Sequence, residues 1–363
     1  MNEDILQGLN PAQREAVINY DGPSLIIAGA GSGKTRVLTT RIAYMLQQGV
    51  DPRSILALTF TNKAAREMRE RIENMVGDNA RYIRMGTFHS VFARLLRENA
   101  EKIGFPQSYT IYESNDSKNL IKSIIKDMNL NEEHYKPQSV AARISMAKNC
   151  LITPAAYIAN GVLAGEDREM KMPQIGDIYA EYCKRCKRNG AMDFDDLLLQ
   201  TNILLRDAPD VLENYQQRFK YILVDEYQDT NYAQHLIVWL LTQHRQRVCV
   251  VGDDAQSIYS FRGANIDNIM RFQEQYKGSR LFKLEQNYRS TQTIVSAANS
   301  LIGHNRGQIH KDVYSRRDMG EPISLLQTYS DIDEANAVMK CVREFRRNEQ
   351  IPYSRMAVLY RTN

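Results

Sequence analysis

Apolar residues fall into two rhythms along this chain. Some form short unbroken runs that end at small or acidic residues: SLIIA (Ser24 to Ala28), ILALTF (Ile55 to Phe60), YILVDE (Tyr221 to Glu226) and RVCVVGDD (Arg247 to Asp254). Runs of this length without alternation mark strands buried on both faces. Elsewhere apolar residues recur every three or four positions, the period of a helix packed along one side. The pattern predicts helices from near Gly33, from about Asn62 and after Thr87, with a weaker strand at YIR (Tyr82 to Arg84). Strands alternating with helices predict an α/β fold, a parallel sheet with helices on both faces.

From Tyr109 to Gly190 the strand signals vanish and helical periodicity takes over, as in NLIKSIIKDMNL, SVAARISMAKN and IGDIYAEYCKRCKR. This stretch reads as an α-helical insertion. Its twelve Lys and Arg against ten Asp and Glu do not make a charged arm. After Gly278 the alternation resumes with LFKLEQ, a helix from Ser290, PISLLQ, a helix from Asp331, and MAVLY. The expected organisation is a first α/β domain over 1–108 and 191–278, the insertion over 109–190, and a second α/β domain opening at 279–363. No repeat of fixed period and no low-complexity segment interrupts it.

Composition narrows the partners. Of 363 residues 43% are apolar, enough to bury sizeable cores, while the net charge is only +4. With a pI near 8.6, any polyanion site is local rather than global. MNEDILQGLN carries no secretory pattern, and no apolar run approaches a membrane span. Five Cys suit a reducing compartment, so a cytoplasmic protein with no membrane partner is expected. Cys183 and Cys186 form a lone CxxC without a second ligand pair. A solvated basic helix face is expected there, not zinc.

The chemistry begins with IAGAGSGKT, where a strand ends and a helix begins. The loop Ala28, Gly29, Ala30, Gly31, Ser32, Gly33 allows backbone N–H groups to curl around phosphate oxygens, and the helix N-terminus adds partial positive charge. Lys34 is placed to reach β- and γ-phosphates, and Thr35 to ligate Mg²⁺. Ala28 stands where the strict P-loop pattern has Gly. The bland alternative is a glycine-rich turn that ends in GKT. A P-loop needs a neighbouring acid for its metal, and YILVDE supplies Asp225 for Mg²⁺ through water and Glu226 to take a proton from the attacking water. Alone, such an acid pair is an ordinary solvated loop.

Read together, nine strings in order resemble the UvrD/Rep/PcrA family of superfamily 1A DNA helicases: LNPAQREAV, AGAGSGKT, TFTNKAAREM, GTFHS, MDFDDLL, VDEYQDT, VGDDAQSIYSFRGA, QNYRS and AVLYRTN. The resemblance implies RecA-like domains and an ATP-dependent, 3′-to-5′ single-stranded DNA translocase and helicase in repair or replication. Its implied cofactors are ATP and Mg²⁺. Its implied partners are single-stranded DNA, single/double-strand junctions, and repair or replication proteins. It implies that Gln13 reads the adenine edge, with Arg36 and Tyr288 flanking the ring. Arg289 is implied as an arginine finger, Gln256 as a γ-phosphate sensor, and Asp253 or Asp254 as support for the Mg²⁺ water shell or the loop. Phe60, Asn62, Thr87, His89, Tyr259, Phe261 and Arg262 are implied to face DNA, aromatic faces stacking on bases and donors meeting phosphates. Taken singly, most of these would be ordinary core or surface residues.

Phe261 stands where the family usually has Trp, so weaker stacking is expected and Phe261→Trp should tighten single-strand binding. Two second-half motifs of the family, one carrying a further γ-phosphate Arg, are not found, nor is its large second-half insertion. The second domain is expected to stop before its sheet is complete, leaving little ATPase and no unwinding. Two rivals remain: a helicase-like subunit of an AddA/RecB-type recombination nuclease, and a non-catalytic nucleotide-dependent DNA-binding module. The compact insertion disfavours the first, and Lys34, Asp225 and Glu226 disfavour the second.

Overall fold

The structure is a computed structural model, and it describes residues 5–260, 263–305 and 307–360. The chain opens with α1 (Pro11–Ile18), β1 (Ser24–Ala28), α2 (Lys34–Gln47), β2 (Ile55–Thr59), α3 (Asn62–Val76), β3 (Arg84–Thr87) and α4 (Phe88–Glu98). The helical stretch follows as β4 (Thr110–Tyr112), α5 (Ser114–Asp127), α6 (Pro137–Asn149), α7 (Pro154–Ala159), α8 (Gly161–Glu169), α9 (Ile175–Arg188) and β5 (Ala191–Asp193). The β rhythm returns through α10 (Phe194–Asp207), α11 (Pro209–Arg218), β6 (Tyr221–Val224), α12 (Tyr232–Thr242), β7 (Val248–Gly252), the single turns α13 (Asp267–Met270) and α14 (Phe272–Gln275), and β8 (Arg280–Leu284). Last come β9 (Gln286–Asn287), α15 (Gln292–Ile302), β10 (Tyr314–Ser315) and α16 (Asp331–Asn348).

A six-stranded sheet with order β3-β2-β6-β7-β1-β8 forms the centre, and every pairing in it is parallel. Period-two alternation divides its apolar residues between two cores. Leu25, Ile27, Leu56, Leu58, Ile222 and Val224 meet α4, α10 and α12 on one face. Ile26, Ala28, Ile55, Ala57, Leu223 and Val251 meet α1, α2 and α3 on the other. This is why the strands read as unbroken apolar runs. A third core, built on Ile121, Ile125, Ile144, Ile178 and Tyr182, holds the insertion together.

Four expectations need correction. The third strand begins at Arg84, while Gly77–Tyr82 winds as a 3₁₀ helix. Arg53 and Arg81 both lie over the Tyr82 ring, and the ring stays at the surface, 41% exposed. The insertion is not free of strands: β4 pairs with β5 across its root, tying its entry to its exit. LFKLEQ does not open a second sheet, because β8 pairs with β1 along the edge of the first. PISLLQ and MAVLY form no strand; Leu325 and Leu359 are 95% and 94% exposed, and among the described residues no strand lies beside either. A strand needs a neighbour to satisfy its backbone. The helix α16 between them buries none of its residues.

The CxxC also differs from its expected setting. Both cysteines lie on α9, but Cys186 points into the insertion core at 2% exposure, and burial pushes its thiol up to about 12. Among the described residues no helix is long and apolar enough to cross a membrane.

Candidate functional site

A parallel sheet brings the C-terminal ends of its strands to one edge, so the loops after β1, β2, β3, β6 and β7 share a rim. After β1 the chain turns through Gly31 and Gly33, whose φ values of +68° and +86° lie in the left-handed region. Gly33 is the N-cap of α2 and offers no side-chain cap, so the first N–H groups of that helix face the cleft without an internal partner. The Ser32 hydroxyl donates to the Gly29 carbonyl at 2.7 Å and closes the loop from behind.

Lys34 begins α2, and its Nζ lies 3.0 Å from Glu226 Oε2. Glu226 follows β6 with φ of +49°, an unusual backbone for a residue with a side chain. The strain aims its carboxylate at the phosphate loop. Asp225, just before it, is 5% exposed. Burial first, and the Glu226 charge second, push its carboxyl up to about 6. The same two causes raise Asp229 to about 6, and its Oδ1 is buried with no partner. These acids carry more negative charge than Lys34 alone balances.

QNYRS arrives from the other side. Asn287 Nδ2 donates to the Ala30 carbonyl at 2.6 Å, and the Tyr288 backbone N–H donates to the Gly31 carbonyl at 2.9 Å. A Cβ on Gly31 would sit 2.7 Å from Arg289 Cβ, so only glycine lets this segment close on the loop. The result is a cleft of about 370 Å³ whose walls include Gly31, Lys34, Glu226, Gln256, Tyr288 and Arg289. Thr35 and Arg36 also line it.

Gln13 sits differently. It is 1% exposed behind the loop, its Nε2 donating to the Ser32 carbonyl at 2.9 Å and its Oε1 accepting from Asn10 N–H. In this arrangement it caps α1 and braces the loop. Asn10 in turn donates to the Tyr288 hydroxyl at 2.9 Å. Sequence reasoning missed Arg71, which reaches the same cleft from α3. Its position on the helix after β2 was the sole sequence signal.

Along the rim, the Phe60 and Tyr259 rings lie 5.5 Å apart, tilted by 37°. Both are half-buried, so each keeps some ring surface in solvent. Asn62 is exposed at the start of α3. Thr87 is 8% exposed, its hydroxyl accepting from Ser90 N–H as the N-cap of α4. His89 follows, with burial lowering its imidazole. Its ring meets Phe194 edge-on at 5.8 Å, and Phe194 is 52% exposed. Sequence reasoning passed over Phe194 inside MDFDDLL. Phe261 and Arg262 lie outside the described residues.

The acids of MDFDDLL anchor the insertion. Lys148, at the end of α6, lies 2.7 Å from both Asp193 and Asp196 and is fully buried. Asp195 accepts from Asn149 at 3.0 Å.

Residues 9–277 match the family model described as UvrD/REP helicase N-terminal domain, and 282–363 the UvrD-like helicase C-terminal domain. The chain is 44% identical to a protein named ATP-dependent DNA helicase PcrA from Leuconostoc citreum, over 99% of this chain and 48% of that one. It is 45% identical to the protein of the same name from Staphylococcus aureus strain Mu50, again over 99% and 48%. The chain thus spans about half the length of the curated relatives it matches.

Proposed function

The chain belongs to the UvrD/REP helicase family, and on that premise we propose that it carries the ATP-binding and single-strand-gripping core of a 3′-to-5′ DNA translocase and helicase. The observation that carries this reading is the convergence of Lys34, Glu226, Gln256 and Arg289 on one cleft. A P-loop lysine, a base, a polar sensor and an arginine finger are the parts that phosphoryl transfer to water uses.

In this reading the triphosphate lies along the loop from Gly29 to Gly33, with its phosphates at the α2 N-terminus. Its γ-phosphate competes with Glu226 for the Lys34 ammonium. That exchange frees the Glu226 carboxylate to accept a proton from the attacking water. Arg289 and Arg71 stabilise charge on the transferring oxygens. The adenine stacks between Arg36 and Tyr288, while Gln13 holds the loop from behind.

Mg²⁺ fits the donor set. Thr35 and Asp225 offer oxygen ligands, and Asp229 Oδ1 adds an unsatisfied acceptor nearby. Burial, then the Glu226 charge, raises the Asp225 carboxyl, and a bound cation would favour its ionised form. Thr35 and Asp225 would hold the ion, which would supply positive charge against the phosphate oxygens.

Single-stranded DNA lies across the rim, its bases against Phe60, Tyr259 and Phe194, and its backbone near Asn62, Thr87 and His89. Gln256 and Tyr259 are three residues apart on one loop, a short mechanical path between nucleotide and strand. Junction DNA and repair or replication proteins are the partners that follow. The proposed division is a first RecA-like domain, a helical insertion and a second RecA-like segment, with β8 assigned to the first sheet.

Equilibrium binding and single-turnover hydrolysis of ATP test the reading. The wild-type chain should bind ATP with Mg²⁺, and Glu226→Gln should keep binding while cutting hydrolysis by roughly 10²–10⁴-fold. A wild-type chain that binds no adenine nucleotide, or a Glu226→Gln variant that hydrolyses normally, would sink it.

A further inference from the structure

The segment between α15 and β10 passes back over the first sheet and touches the nucleotide cleft at two points. Val313 covers the start of the phosphate loop, since a Cβ on Gly29 would come within 2.7 Å of its Cγ2. Two residues earlier, Lys311 reaches the end of β7. Its Nζ lies 3.1 Å from Asp253 Oδ1 and 2.5 Å from Asp254 Oδ1. The Ile309 backbone N–H donates to the remaining Asp254 oxygen at 2.8 Å. The three charged side chains are 7%, 3% and 0% exposed, in the order Lys311, Asp253, Asp254. The acid pair expected to support the Mg²⁺ water shell is thus bound to a lysine.

Burying three charges is a weak way to gain stability, because desolvation offsets most of the attraction. It is a good way to fix geometry. The second Asp253 oxygen accepts from Gln256 Nε2 at 2.5 Å. The Asp253 backbone N–H donates to Gln228 Oε1, and Gln228 Nε2 donates to Glu226 Oε2 at 2.9 Å. An unbroken polar path therefore runs from Lys311 through Asp253 and Gln228 to Glu226 and Lys34. The chain that continues it, through β10, holds QNYRS. Ser315 Oγ donates to the Ser290 carbonyl, and Arg317 donates to the Arg289 carbonyl, both at 2.7 Å.

We propose that Lys311 is a positioning residue for γ-phosphate recognition: by fixing Asp253 it holds the Gln256 amide at the cleft, and it makes that position depend on the segment that carries Arg289. Lys311 touches no nucleotide itself. The inference rests on the proposed function, in which Gln256 senses the γ-phosphate.

Binding of ADP and of the non-hydrolysable analogue AMP-PNP, measured side by side with Mg²⁺, separates the two ideas. The wild-type ratio of affinities should differ from one. In Lys311→Met the ADP affinity should stay within about twofold, while the AMP-PNP/ADP ratio moves toward one by about fivefold or more. Lys311→Arg should restore much of the ratio. Because Lys311→Met leaves two buried carboxylates unbalanced, the double variant Lys311→Gln/Asp254→Asn keeps the local charge sum and guards against a folding failure. It should show the same loss. Equal weakening of both nucleotides, or an unchanged ratio in folded variants, overturns the inference. A wild-type chain that binds neither nucleotide overturns the functional reading instead.

Discussion

Single residues set the acid–base behaviour of the cleft. Asp225 holds its proton more tightly in the folded chain than in the unfolded one, since burial and Glu226 raise its carboxyl to about 6. Its contribution therefore favours folding at low pH, in full below about 3.9, and is lost as pH rises through about 6. In the proposed metal site Mg²⁺ would reverse the preference by needing the ionised form. Mg²⁺-dependent nucleotide binding, followed by titration calorimetry, should be about tenfold weaker at pH 5 than at neutral pH and release a proton at the lower pH. Binding that is flat across that range would remove Asp225 from the metal site. Residue-level legibility followed backbone demand. The P-loop was readable because its glycines answer steric needs, Gly31 against Arg289 being the clearest case. Arg71 was not, because nothing local in α3 shows that its guanidinium reaches a cleft built from distant loops. Gln13 was legible as important but not as a brace, since its bond to the Ser32 carbonyl depends on tertiary packing.

Elements succeed or fail by their neighbours. The strands β1, β2, β6 and β7 were legible as apolar runs because both faces of the sheet are covered there. PISLLQ has the same composition and stays irregular, because no strand lies alongside it among the described residues. LFKLEQ was recognised as a strand but assigned to the wrong sheet, since a sequence carries no label for which edge a strand will join. At the strand ends, Phe60 and Tyr259 meet from different loops and form the proposed stacking pair. Replacing either by Ala should weaken binding of an oligo(dT) probe by about 1–3 kcal/mol, read by fluorescence anisotropy, and leave ADP affinity unchanged. Equal affinities for the probe would place the strand elsewhere. At the root of the insertion, Lys148 faces Asp193 and Asp196 in full burial. Lys148→Met strands two carboxylates and should cost about 3–5 kcal/mol in urea unfolding. A loss below about 1 kcal/mol would mean that α6 is held by its apolar contacts alone.

At the scale of the whole molecule, the proposed nucleotide cleft and the aromatic rim are joined by one short loop and one returning segment. The loop from Asp253 to Ser260 carries Gln256 to the first and Tyr259 to the second, and Lys311 ties it to the side that carries QNYRS. On this account binding of one ligand biases the other, and linkage makes the effect reciprocal. The central claim is that coupling. Its most direct measurement is the AMP-PNP affinity of the chain with and without saturating oligo(dT), paired with the oligo(dT) affinity with and without saturating AMP-PNP. The account predicts that the two ratios agree and depart from one by about fivefold or more. Two independent affinities, each unmoved by the other ligand, would contradict it.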